Sequence, residues 1–193
     1  MPKLGMEKIR REALIGAALQ AIHAKGSLDV TVGQIAARAG VSSALAHHYF
    51  GGKEDLILAA MRHQLVQLGQ ALRQAQVNAR GPRARISAII NANFDETQFS
   101  AETVSCWLNF YVKAQGSAPA ARLLRIYVRR LRSNLVVSLR PLAGARAGAI
   151  AESIGAMIDG VYLRQGLSGQ APDRVAAIRM VENFVEMSLR GAQ

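Results

Sequence analysis

Five of the chain's ten aromatic residues, Phe94, Phe99, Trp107, Phe110 and Tyr111, fall between positions 94 and 111. Trp107, Phe110 and Tyr111 stand at i, i+3 and i+4, one face of a helix. Acids are sparse over the same region: from 64 to 170 they are Asp95, Glu96, Glu102, Glu152 and Asp159. Aromatic faces beside a carboxylate hold a cation that has no hydrogen-bond donor, each cation–π contact contributing roughly 0.5–2 kcal/mol according to desolvation. In a chain of net charge +11, a cationic ligand needs such local negative character to be captured. The expected walls are Trp107 first, then Phe94, Phe110, Tyr111 and Tyr162, with Asp95, Glu96 or Asp159 as counter-charge. The competing reading is packing alone, since an aromatic stripe on a helix is usually core, and Asp159 would serve equally as a hydrogen-bonding group in a subunit interface.

Little else in the chain suggests chemistry. His23, His47, His48 and His63 have no carboxylate or cysteine at ligand spacing, so no metal site is expected. Cys106 is the one cysteine, which excludes an internal disulfide, and no basic cluster stands near it to activate a thiolate. No Ser-His-Asp order, glycine-rich phosphate loop or paired-carboxylate site stands out, so no catalysis and no cofactor are expected.

The most informative stretch is 31–50, TVGQIAARAGVSSALAHHYF. Thr31 and Gln34 have the spacing of a capping box, in which each side chain bonds the other's backbone N–H. Gly40 supplies a left-handed residue for a sharp turn, Val41 plugs the corner, and Ser42 can cap a second short helix. Two helices joined by a short glycine turn form a helix-turn-helix, whose second helix lies in the DNA major groove. A core helix would carry Leu or Ile there, whereas Ser42, Ser43, Ala44, His47 and His48 are small or polar. Ser43, Ala44, His47 and His48 share one face, and Ala44 can touch a thymine methyl. With no Arg or Asn on this helix for bidentate base readout, the specificity per residue should be modest.

The elements that position these groups follow from the rest of the chain. Its 193 residues allow one domain, or one plus a small module. Apolar residues recur at helical period and strand-type alternation is hard to find. Leu14, Ala17, Ala18, Ala21 and Ile22 form a stripe ending near Gly26. Leu58, Met61, Leu65, Leu68 and Leu72 mark a long helix before Gly81-Pro82. Leu124, Val128, Leu131, Leu135 and Leu139 mark another ending before Pro141, and a last helix starts with Pro172 at its first position. From 143 to 167 the helix is apolar nearly all round, which predicts burial in the chain or against a second subunit. The fold expected is all-α, about nine helices.

Lysine and arginine number 24 against 13 acids, with pI near 10.8, which suggests a polyanionic partner unless it is a solvated basic surface. Residues 1–63 carry only +3 of this charge and residues 64–193 carry +8, so charge does not locate a groove-reading surface. The amino terminus has charges but no apolar stretch behind them, and no run is long enough to span a membrane. A cytoplasmic protein is expected.

Thr31-x-x-Gln34-Ile35-Ala36-x-x-Ala39-Gly40-Val41-Ser42, followed by His48-Tyr49-Phe50-x-x-Lys53-x-x-Leu56, resembles the TetR family of one-component repressors. The resemblance implies a DNA-binding head at 1–50 with its helix-turn-helix at 31–50, and an effector-binding and dimerisation body at 51–193. It also implies base and phosphate contacts by Thr31, Gln34, Ser42, Ser43, Ala44, His47, His48, Tyr49 and Lys53. Two positions depart from the family: Ala44 replaces the usual glycine, and His47 a common tyrosine. A homodimer paired through the last two helices, on a pseudo-palindromic double-stranded operator, is implied as well. Further blocks, including Ile9-Arg10-Arg11, Asn93-Phe94-Asp95-Glu96, Trp107-Leu108, Ser133-Asn134-Leu135 and Ile158-Asp159-Gly160, are similar to the choline-sensing branch of that family. That similarity implies repression of genes for choline uptake and glycine betaine synthesis, relieved by choline. Betaine aldehyde and glycine betaine would fit similar cages. The alternatives are a regulator answering another cationic or hydrophobic compound, an all-helical enzyme, or a nonspecific nucleic-acid or membrane-surface binder.

Overall fold

Capping side chains and left-handed glycines set the helix boundaries in the head. The computed structural model describes residues 3–190. Met1 and Pro2 of the expected head and residues 191–193 of the expected body lie outside the described residues. Helix α1 (Lys3–Lys25) ends at Gly26, φ 67°, which takes the left-handed conformation as a C-terminal stop. Helix α2 (Val32–Arg38) is opened by the expected capping box. Gln34 N–H donates to Thr31 Oγ1 at 3.1 Å and Thr31 N–H to Gln34 Oε1 at 2.9 Å. Gly40, φ 68°, makes the turn, and Ser42 Oγ accepts from Leu45 N–H at 3.2 Å to open α3 (Ser43–Phe50).

The body follows as α4 (Lys53–Val77), α5 (Pro82–Asn93), α6 (Ala101–Gly116), α7 (Ala118–Ala143), a 3-10 turn at Gly144–Arg146, α8 (Ala147–Gly166) and α9 (Arg174–Arg190). Nine α-helices and no strand occur among the described residues, so the fold is all-α, as the periodicity implied. Two buried clusters form among the described residues. Leu14, Ala18, Ile22, Ile35, Ala46, Phe50 and Leu56 pack the first, and Cys106 of α6 is inserted into it. The second runs from Ile57 to Val185 and contains Phe94, Trp107, Phe110, Tyr127 and Tyr162. Helix α4 belongs to both, with Leu56 and Ala60 in one and Ile57 and Met61 in the other. Arg83 of α5 ties α9 by pairing with Glu182 and with Glu186.

Three sequence expectations are corrected. Helix α7 does not stop before Pro141 but runs on to Ala143 and ends at Gly144, φ 52°. In the last turn a proline forfeits a single backbone bond, which exposed backbone can give to water. Pro172 does not start the last helix: Asp173 caps it, its Oδ1 accepting from Ala176 N–H at 2.9 Å. The inward stripe of α7 is Ala120, Tyr127, Leu131, Leu135 and Leu139, while Val128 faces outward at 39% exposure. Helix α8, expected to be buried in the chain or against a second subunit, packs Ile150, Ala151, Ile154, Ile158, Val161 and Tyr162 into the chain. Its opposite face, with Ala149, Ala156 and Leu163, is exposed, as is Leu167 just past its end.

Candidate functional site: the exposed helix face and the aromatic core

The caps of α2 and α3 hold the second helix of the pair outward. Ala46 and Phe50 anchor α3 in the head core, and Ser42, Ser43, Ala44, His47 and His48 are all exposed. The structure therefore gathers the five predicted small and polar residues on one open face, with exposed Thr31 and Gln34 at the start of α2. His47 Nδ1 lies 3.0 Å from Gly51 O. That carbonyl can only accept, so Nδ1 carries the proton and the ring is locked to the turn with Nε2 pointing away. Tyr49 is half-buried, and its carbonyl accepts from Arg11 Nη1 at 2.8 Å. The same guanidinium lies 4.6 Å from the Phe50 ring centroid. Arg11 thus fixes the end of α3, a role that sequence spacing did not reveal, because the contact joins residues 38 positions apart. Lys53 is held 3.7 Å from Asp29, which also meets Lys25 at 3.5 Å. This exposed charge cluster ties the ends of α1 and α4 together.

In the body, α6, α7 and α8 bring aromatic rings from distant parts of the chain into one core. The Trp107 centroid lies 5.5 Å from Phe110, 5.9 Å from Tyr111, 4.9 Å from Tyr127 and 6.4 Å from Tyr162. Phe94 and Phe99 extend the group, at 5.8 and 4.9 Å from Tyr162. Of the three candidate counter-charges, one hydrogen-bonds to rings of this cluster, while the charge of Asp95 also reaches Tyr162. Asp159 Oδ1 accepts from Tyr111 OH at 3.0 Å and from Tyr127 OH at 2.9 Å. Asp95 Oδ1 instead caps its own turn, accepting from Thr97 N–H, Thr97 Oγ1–H and Gln98 N–H at 2.8 Å each. Glu96 is on the surface, 3.7 Å from Arg174. Tyr127 is the member that sequence reasoning missed. Its signal was the α7 register, because Tyr127, Leu131 and Leu135 stand at i, i+4 and i+8.

Electrostatics separate Asp159 from the other acids. Burial raises its carboxyl above the ordinary carboxylate range, and the hydrogen bonds from Tyr127 and Tyr111 oppose that shift. None of the ion pairs among the described residues involves it. Burial, together with the neighbouring Asp159 charge, pushes the Tyr111 and Tyr127 phenols well above their usual values, so both remain donors. A cleft of about 240 Å³ between α7 and α8 is lined by Tyr127, Asp159 and Ala156. Arg132 also lines this cleft but pairs with Glu152 at 3.3 Å, so the Asp159 carboxylate, held by two phenols that pack on Trp107, is open to a cation from outside the chain.

No group of three or more His, Cys, Asp or Glu suited to a metal occurs among the described residues. Cys106 is buried, which pushes its thiol up to about 12, with Glu102 adding to the shift. It is a packing residue whose S–H points at Leu19 O of α1, 3.6 Å away. No described helix is long and apolar enough to cross a membrane.

Comparison with known proteins agrees with both halves of this architecture. The family described as "Bacterial regulatory proteins, tetR family" matches residues 14–60, and "BetI-type transcriptional repressor, C-terminal" matches residues 82–190. The chain is 57% identical over 192 residues to the HTH-type transcriptional regulator BetI of Brucella melitensis biotype 2, covering 99% of this chain and 97% of that one. It is 50% identical over 191 residues to the regulator of the same name from Rhizobium meliloti, covering 98% and 94%. Among solved structures it is similar to a transcriptional regulator of Pseudomonas aeruginosa PAO1, with TM-score 0.82, 27% identity and coverage of 96% and 92%. A regulator from Saccharomonospora viridis in complex with choline shares the fold, with TM-score 0.81, 18% identity and coverage of 91% and 95%.

Proposed function

The chain belongs to the TetR family, as a BetI-type transcriptional repressor that binds DNA through its helix-turn-helix and not as an enzyme, and from that premise we propose how it reads its operator and senses choline. The head is 1–50 and the body 51–193. Ser42, Ser43, Ala44, His47 and His48 meet base edges in the major groove. Thr31, Gln34, Tyr49 and Lys53 meet the phosphates flanking them. The genes repressed are those for choline uptake and glycine betaine synthesis, and the protein works in the cytoplasm, where its operator lies.

A pseudo-palindrome demands a two-fold protein. Two copies pair through α8 and α9. Support for this comes from the exposed outer face and end of α8, where Leu163 and Leu167 are 47% and 72% exposed, and from Met180 and Met187 on α9 at 51% and 66%.

The observation that carries the choline reading is Asp159, a largely buried carboxylate with two phenol donors and no cationic partner in its own chain. Choline places its trimethylammonium against Trp107, with Tyr111 and Tyr127 beside it, and answers that charge. Phe94, Phe110 and Tyr162 back these rings, while Asp95 and Glu96 hold the adjoining turn and the surface. The rings are in mutual contact, so the ligand enters by parting them, and α6 must move. Cys106, the neighbour of Trp107, contacts α1, and α6 packs along that helix, so displacement of Trp107 reaches the head directly as well as through α4. A tenfold loss of DNA affinity requires only about 1.4 kcal/mol of preference for the released state.

Fluorescence anisotropy on DNA upstream of its own gene, at ~150 mM salt, tests this reading. Binding should be sequence-selective and weakened by choline. Trp107→Ala should remove the choline effect and spare DNA affinity. Selective binding indifferent to choline would refute the effector assignment, and equal binding to a scrambled duplex would refute the operator assignment.

A further inference from the structure

Beside the aromatic core lies one buried polar atom without a partner. Gln98 is 2% exposed, and its Oε1 is the single buried side-chain nitrogen or oxygen among the described residues that makes no hydrogen bond. A buried acceptor left unmet costs roughly 1–3 kcal/mol, which is why such atoms in native proteins call for a partner.

The amide cannot relieve this by turning over. Its Nε2 faces Thr97 Oγ1 at 3.5 Å. The Thr97 hydroxyl proton is already committed to Asp95 Oδ1 at 2.8 Å, so Thr97 Oγ1 only accepts, and only the amide's NH₂ end suits it. The Asp95 carboxylate is held in turn by Thr97 N–H and Gln98 N–H. The turn that showed no role as a counter-charge thus orients Gln98 with its acceptor free.

Gln98 also belongs to the aromatic core by position. Its carbonyl lies 2.9 Å from Tyr162 OH. Tyr162 stands one helical turn beyond Asp159 on α8, where Cβ atoms are about 5–6 Å apart, and its ring faces Trp107 at 6.4 Å between centroids. The backbone of Gln98 thus borders the core at Tyr162, and its buried, unpartnered side-chain acceptor lies within the same part of the body.

We propose that Gln98 is the specificity-determining residue of the effector site, its Oε1 accepting the hydroxyl hydrogen of a trimethylammonium alcohol whose cationic end lies by Trp107 and Asp159. This rests on the choline reading above and sharpens it. An acceptor that cannot become a donor favours a terminal hydroxyl over a carboxylate oxygen in the same place, so choline binds in preference to glycine betaine.

Isothermal titration of the full-length protein with choline, glycine betaine and n-propyltrimethylammonium tests this, the last replacing the hydroxyl by a methyl group of similar size. The wild-type protein should favour choline over n-propyltrimethylammonium by about tenfold or more. In Gln98→Leu, and in Gln98→Met should the first variant fold poorly, that ratio should fall to within about threefold, through weaker choline binding and retained n-propyltrimethylammonium binding. Equal affinities in the wild type, or a preference that survives in the variant, would overturn the assignment of Gln98 while leaving the cation site standing. Binding of none of the three would overturn the choline reading itself, and this inference with it.

Discussion

Asp159 accepts two phenol hydroxyls and meets no cation of its own chain, and its titration makes that arrangement measurable. Burial raises its carboxyl above the ordinary carboxylate range, so the folded protein keeps the proton at pH values where the unfolded chain has lost it. Stability from this group is full below the unfolded value and is lost as pH rises through the folded value. At neutral pH the ionised carboxylate is therefore a standing penalty. Asp159→Asn, which keeps an acceptor for Tyr111 and Tyr127, should leave the melting temperature unchanged or raise it. Choline affinity should run the other way. It should fall as pH drops through the raised Asp159 value, starting at a higher pH than for an exposed aspartate, and be weaker in Asp159→Asn by about 2 kcal/mol or more. Titrations of both proteins from neutral to mildly acidic pH check this, and a wild-type affinity flat over that range would remove Asp159 as the counter-charge. The sequence offered Asp95, Glu96 and Asp159 without distinction, because which of them meets the rings depends on how distant helices pack around it.

Among the elements, α6 carries the connection between halves: Cys106 sits in the head core and Trp107 in the body core. Another of its neighbours, α8, approaches so closely that a Cβ on Gly166 would meet Leu108 Cδ1 at 2.5 Å and Val104 Cγ1 at 2.9 Å. Gly166→Ala should therefore push α6 and α8 apart, lower stability by about 1–3 kcal/mol as overpacking does, and weaken choline binding. Thermal denaturation followed by choline titration checks this, and an unchanged Tm would mean that Leu108 turns aside without moving the helix. Caps and glycine turns were legible along the chain because they are local: Thr31 with Gln34, Ser42, Gly26 and Gly40 each act within a few residues. The inward face of α7 was not. Tyr127 and Val128 are adjacent and both apolar enough for either register, and only contact with Trp107 decides which is buried.

At the scale of the whole molecule, the uncovered apolar faces of α8 and α9 set the expected assembly. Placing charge there by Met180→Glu with Met187→Glu should give a monomer in size exclusion with light scattering. It should also reduce operator affinity by about two orders of magnitude, since joining two half-site contacts multiplies affinity on that scale. A variant that stays dimeric would move the interface elsewhere on the body. The basic surplus follows a different geography: Arg73 stands roughly 30 Å along α4 from Lys53, at about 1.5 Å per residue. Much of the +8 carried by residues 64–193 therefore lies on the body, away from the helix that reads the groove.

The sequence by itself determined the all-α class, the helix-turn-helix with its exposed small and polar face, and the region in which aromatics gather. Each depends on short-range periodicity, capping and turn geometry, which act between residues a few positions apart. Only the tertiary structure decided that Asp159, and not Asp95 or Glu96, accepts the Tyr111 and Tyr127 hydroxyls, that Tyr127 joins Trp107 from α7, that Arg11 locks the end of α3, and that Gln98 is buried with an unmet acceptor. Those facts are contacts between residues tens of positions apart, and their geometry exists only once the helices pack and exclude water.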